Sequence, residues 1–190
     1  MRKANPGTPA AVVLVGYMGA GKTSVGQELA QRLHWKFVDL DDVISARTGR
    51  RIAEIFEQSG ETEFRRLETE ALGAVLGGLK SPTVLSIGAG AFVQSENRRL
   101  LRSAAGRIVF LNGSPETLME RCRQHGARRP MFQDENQFRQ LYESRRNSYM
   151  KADLCIDTTR LTIGEVAVEV ARRLGLVPRS NIAKDFPNEV

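Results

Sequence analysis

Gly16-Tyr17-Met18-Gly19-Ala20-Gly21-Lys22-Thr23 fits the pattern G-x-x-x-x-G-K-[ST] at every position, and no other segment restricts the fold of this chain as much. The pattern describes a loop that wraps phosphate. Its glycines let the backbone turn tightly and bring N–H groups close to phosphate oxygens. The lysine reaches the β- and γ-phosphates, and the threonine hydroxyl can ligate Mg²⁺. Such a loop needs a strand before it and a helix after it. Ala11-Val12-Val13-Leu14-Val15 is a continuous apolar run, and Val25, Leu29 and Leu33 follow at helical spacing with Glu28 and Arg32 between them.

The same alternation continues along the chain. Apolar, β-type runs stand at 11–16, 35–39, 83–87, 107–111 and 153–157. Helical segments are expected at 22–33, 41–48, 51–58, 60–79, 95–104, 114–125, 135–150 and 162–174. Ser114-Pro115 supplies a cap and an N1 proline, and Thr162 with Glu165 has the spacing of a capping box. Strands alternating with helices predict a three-layer α/β/α fold with a parallel sheet. Ligands bind such sheets beyond the C-terminal ends of the strands. Three segments should therefore converge: the phosphate loop, Asp39-Leu40-Asp41-Asp42 after the second strand, and Gly88-Ala89-Gly90 after the third.

A chain of 190 residues is long enough for one domain, expected over 10–176, with loose termini at 1–9 and 177–190. It has no apolar run of about 18 residues, so no membrane span is expected. Cys122 and Cys155 have no metal-ligand spacing and are expected to be reduced packing residues of a cytoplasmic chain. The net charge of +6 raises nucleic acid as a partner, but the arginines are scattered and few aromatics interleave with them. Arginines drawn from several elements around an anionic small molecule explain the charge as well.

Four groups of residues bear on chemistry. Asp39 and Asp41 fall on one side of the chain if it stays extended, as phosphoryl transfer to an alcohol requires: one carboxylate near the metal and one near the hydroxyl. Capping of the following helix is the other reading for Asp41, and Asp42 is read as a cap. Arg65 and Glu68 share a helix face, either as a pre-oriented carboxylate-binding arginine or as a surface ion pair. The small residues Gly88, Ala89 and Gly90 allow a ligand close to the backbone. Arg128-Arg129-Pro130 lies in a polar segment, about 124–135, that could close as a lid and exclude water or could be an exposed basic loop. His34 and His125 are read as structural or solvated, and Trp35, Met18 and Met119 as packing residues.

In this order and spacing, with Arg47-Thr48-Gly49, Ile52-Ala53-Glu54-Ile55-Phe56 and Gly60-Glu61-x-x-Phe64-Arg65-x-x-Glu68 between, the chain resembles the shikimate kinases from about Ala11 to Leu174. The resemblance implies a P-loop, nucleoside-monophosphate-kinase-like fold with strand order 2-3-1-4-5. It also implies transfer of the ATP γ-phosphoryl to the 3-hydroxyl of shikimate, with Mg²⁺ as cofactor. A monomer acting on ATP and shikimate, without nucleic-acid or membrane partners, is expected. Gly19, Ala20, Gly21, Lys22, Thr23 and Ser24 would wrap the phosphates, with Thr23 and Asp39 at the metal. Asp41 would meet the substrate hydroxyls and accept the proton. Arg65 and Arg145 would clamp the carboxylate beside Gly88, Ala89 and Gly90. Arg129 would be the lid arginine and a catalytic residue with Lys22 and Asp41, Arg160 a late ATP contact, and Arg121 or Arg123 the adenine-side arginine. Departures from the family pattern are Ala89 within the glycine triplet, Met131-Phe132 after the lid Arg129-Pro130, and Asn147 and Ser148 between Arg145 and Tyr149. They leave open a kinase for another carboxylated polyol, such as gluconate, or a non-catalytic nucleotide-binding relative.

Overall fold

The computed structural model describes residues 9–104, 106–124 and 135–176. Strand β1 (Ala11–Val15) is buried along its whole length and pairs in parallel with β3 (Thr83–Ser86) on one side and β4 (Arg107–Asn112) on the other. β2 (Lys36–Asp39) adds beyond β3, and β5 (Leu154–Asp157) adds beyond β4. The five-stranded parallel sheet therefore runs β2-β3-β1-β4-β5, as expected. A central strand covered on both faces has no solvated side, which is why residues 11–15 are uniformly apolar rather than alternating. Each valine or leucine buried there contributes about 1.5–3 kcal/mol relative to an exposed one.

Among the described residues seven α-helical elements cover the sheet: α1 (Lys22–Leu33), α2 (Leu40–Thr48), α3 (Ile52–Gly77), α4 (Ser95–Ser103), α5 (Pro115–Gln124), α6 (Glu135–Tyr149) and α7 (Ile163–Arg173). α1 and α7 pack on one another, while α3 packs between α2 and α4. From β1 the chain crosses to one side of the sheet to reach β2, and later to the other side to reach β4. The C-terminal end of β1 therefore lies where the winding reverses, the place where open α/β sheets leave a crevice.

Local chemistry sets the helix ends. Ser114 Oγ accepts from Thr117 N, and Thr162 with Glu165 closes the expected capping box. Three expectations need correction. The chain does not stay extended through Asp41, because α2 begins at Leu40, and its cap is Asp39 rather than Asp42. Asp39 Oδ1 accepts from Asp41 N at 3.1 Å, so one carboxylate oxygen satisfies an otherwise orphaned helix N–H. The segments expected at 51–58 and 60–79 are borne out as the two helical arms of α3, which meet at Gly60, whose φ of 75° and ψ of 175° are non-helical. Cys155 is exposed, so only Cys122 is a packing residue. His34, at φ 55°, ends α1 and is structural. No helix among the described residues is long and apolar enough to cross a membrane.

Candidate active site

Beyond the C-terminal ends of β1 and β3 lies a crevice of about 620 Å³. The phosphate loop from Met18 to Ser24, Asp39, Asp41, Gly88 and Ala89 all line it. The three segments singled out in the sequence therefore do converge. Lys22 bends back across its loop, donating to the carbonyls of Gly16 at 3.0 Å and Tyr17 at 3.2 Å. Thr23 Oγ1 donates to Asp39 Oδ2 at 2.8 Å, which ties the start of α1 to the end of β2. These are a hydroxyl and a carboxylate oxygen side by side at the phosphate loop. Such hard donors suit Mg²⁺, which usually takes few protein ligands and keeps several waters. Among the described residues no group of three or more His, Cys, Asp or Glu side chains is placed to hold a metal by itself.

On the acceptor side, Arg65 and Glu68 are not a surface pair. Arg65 Nη1 lies 2.7 Å from Glu68 Oε2, with the Glu68 side chain fully buried and that of Arg65 only 20% exposed. Gln94 Nε2 donates to the same Glu68 oxygen, and Glu61 holds the outer edge of the guanidinium. Burial pushes the Glu68 carboxyl above the usual range, Arg65 pulls it back, and the charge of Asp41 pushes it up again. Half-buried Asp41 and fully buried Glu68 thus share one electrostatic neighbourhood.

The glycine triplet explains itself in this setting. A Cβ on Gly88 would stand 2.7 Å from Glu68 Oε1 and 3.4 Å from Asp41 Oδ1. A Cβ on Gly90 would fall on the Arg65 guanidinium. Neither position has room for a side chain. Ala89 is different, because His34 is the only non-glycine residue with positive φ among the described residues, so its methyl carries no left-handed strain. If Arg65 grips an acceptor carboxylate as the resemblance implies, Gly90→Ala should raise the acceptor KM at least about tenfold by displacing a guanidinium fork, with a modest change in Tm, because the clash falls on the end of a flexible side chain. Ala89→Gly should leave Tm within a few degrees of the parent. Steady-state kinetics and thermal melting of both variants check this contrast.

α6 carries Arg145, whose guanidinium stands 6.0 Å from the Tyr17 ring centroid. The Tyr17 hydroxyl donates to Phe138 O at 3.2 Å, and its ring meets Phe138 and Tyr142 edge-on. One turn further on, at the C-terminal end of α6, the Tyr149 hydroxyl donates to Ala89 O at 2.5 Å. Burial pushes the Tyr149 phenol far up, and the charges of Arg145 and Arg65 both pull it back. The charges of both arginines expected at the clamp are thus felt at one hydroxyl.

At the nucleotide end, Arg121 lines the crevice and is held by Thr158, donating to its carbonyl at 2.7 Å and its hydroxyl at 3.1 Å. Arg123 points away to pair with Glu135. The local geometry thus favours Arg121 on the adenine side. Arg160 is exposed and stands outside the crevice lining. Arg129, with most of the expected lid at 124–135, lies outside the described residues. Many of the other arginines form surface ion pairs, such as Arg32 with Glu28 and Arg172 and Arg173 with Glu169, so the positive charge is not all gathered at the ligand site. Thr158 and Tyr149 were not anticipated. Thr158 directly follows β5, so the rule that ligands gather past strand ends pointed to it; Tyr149 stood in the sequence as the end of the motif that begins at Arg145, without a role of its own.

A family model described as shikimate kinase matches residues 18–175. The chain belongs to the shikimate kinase family. A shikimate kinase of Geobacter sulfurreducens is 44% identical over 84% of this chain and 88% of that relative. One of Thermus thermophilus is 40% identical over 86% of this chain and 89% of that relative. Among solved structures, shikimate kinase from Acinetobacter baumannii in complex with shikimate superposes with a TM-score of 0.79 and 32% identity, covering 95% of this chain and 96% of that one. The chain is accordingly a phosphotransferase with the P-loop kinase fold, and its crevice is the site that this family membership directs attention to.

Proposed function

We propose that this protein transfers the γ-phosphoryl of ATP to the 3-hydroxyl of shikimate, giving shikimate 3-phosphate and ADP, as a cytoplasmic enzyme of the shikimate pathway. The observation that carries the reading is a crevice lined by the phosphate loop, Asp39, Asp41 and Gly88, with Gly88 packed against the buried Glu68 carboxylate that holds Arg65. Phosphoryl transfer needs positioning and charge neutralisation rather than covalent catalysis.

In this reading the backbone of Gly19 to Ser24 cradles the phosphates and Lys22 swings from its loop carbonyls onto the β- and γ-oxygens. Thr23 and Asp39 would hold Mg²⁺, which neutralises charge on the phosphates when bound. Asp41 orients the acceptor hydroxyl and takes its proton. Arg65 and Arg145 fork onto the substrate carboxylate, with Gly88, Ala89 and Gly90 against the ring. Arg121 lies on the adenine side, Arg160 is a late ATP contact, and Arg129 brings further positive charge to the phosphates. An ADP-release assay with shikimate, gluconate and a short oligonucleotide as acceptors tests the reading. Turnover on shikimate alone, abolished by EDTA and restored by added Mg²⁺, is the expected result. Turnover on gluconate alone would overturn the substrate, and none on any acceptor would point to a non-catalytic relative.

A further inference from the structure

The Tyr149 hydroxyl joins two parts of the acceptor site that the reaction scheme treats separately. Tyr149 is fully buried, its ring is stacked on Phe110 with centroids 5.1 Å apart, and its O–H donates to Ala89 O at 2.5 Å. It stands one helical turn after Arg145, on the same face of α6. The other edge of the loop is also fixed, because Asn97 Nδ2 donates to Ala91 O and Arg98 Nη1 to Phe92 O. The loop carrying Gly88-Ala89-Gly90 is thus held from α4 on one side and from α6 on the other.

We propose that Tyr149 is a positioning residue that sets the Arg145 guanidinium and the Ala89 peptide as one unit, so that affinity for the acceptor carboxylate depends on its hydroxyl. The electrostatics agree: the charges of Arg145 and Arg65 both pull the buried phenol's pKa back. A buried hydroxyl that donates to the Ala89 carbonyl and lies under the Arg145 charge favours one relative placement of the two. The alanine in the triplet does not weaken this link, since the bond is made to its carbonyl and not to its side chain. The inference rests on the shikimate kinase reading.

Tyr149→Phe keeps the ring on Phe110 and removes only the hydroxyl. It should raise the shikimate KM about five- to tenfold, the loss expected for a hydrogen bond serving a charged group, while the ATP KM stays within about twofold. With shikimate methyl ester, which lacks the carboxylate charge, the variant and the parent should differ by less than about twofold, because the hydroxyl acts through Arg145. A purely structural tyrosine would lower Tm without this split. An unchanged shikimate KM in an active, folded variant, an equal KM effect on acid and ester, or a variant that does not fold would each overturn the inference and leave the proposed function standing. A parent protein with no turnover on shikimate would overturn both.

Discussion

Asp41→Asn is expected to lower kcat on shikimate by about a hundredfold or more, within the range that a positioned general base contributes. The substitution keeps size and hydrogen-bonding geometry and removes only the ability to accept a proton. Asp41 begins the first turn of α2, and its backbone N–H is tied to Asp39 Oδ1, so α2 should form as before and ATP binding should be unaffected. The charge of Asp41 also pushes the neighbouring Glu68 carboxyl up. Removing it relieves that repulsion, so Tm should hold or rise slightly while turnover falls. Single-turnover rates with an ATP-binding titration check the pattern; full turnover in the variant would remove Asp41 from the proton-accepting role.

Arg65→Ala has the largest expected effect on both binding and stability. It takes away one arm of the proposed carboxylate clamp, so the shikimate KM should rise by about a hundredfold, as for loss of a bidentate charged contact. It also leaves Glu68 buried without its partner, at a cost of about 3–5 kcal/mol where the carboxyl is ionised. That cost depends on pH. Burial already raises the Glu68 pKa, and losing Arg65 raises it further. A group whose folded pKa lies above its unfolded value contributes fully below the unfolded pKa, and its contribution is lost as pH rises through the folded value. The Tm deficit of Arg65→Ala should therefore be small at about pH 4 and grow toward pH 8. Adding Glu68→Gln should restore much of the Tm and none of the acceptor affinity. Recovery of both together would assign Arg65 to structure alone.

The donor half of the site was legible residue by residue. A phosphate loop is a contiguous backbone feature, so its spacing in sequence is its geometry in space, and the strand and helix around it follow from the same short stretch. The parallel sheet was also legible, because buried strands and amphipathic helices leave different hydrophobic periods. Less of the acceptor half could be read. Arg65 and Glu68 are three residues apart on α3 whether they are solvated or buried, and the same pair at the surface would look identical in sequence. Gln94 and Gly90, from the loop after β3, settle the matter by closing over them. Arg121 and Arg123 are two residues apart on α5 and therefore face different directions; Thr158, from a strand far along the chain, selects one of them.

Local spacing thus determined the ligand class, the phosphate loop and the sheet. Tertiary packing decided which glycines of the triplet are obligatory, which arginine turns inward and what Tyr149 holds. The reason is physical: periodicity and loop chemistry depend on neighbours a few residues away, whereas the room for a methyl group at Ala89, and its absence at Gly88 and Gly90, depend on side chains delivered by α2, α3 and α6.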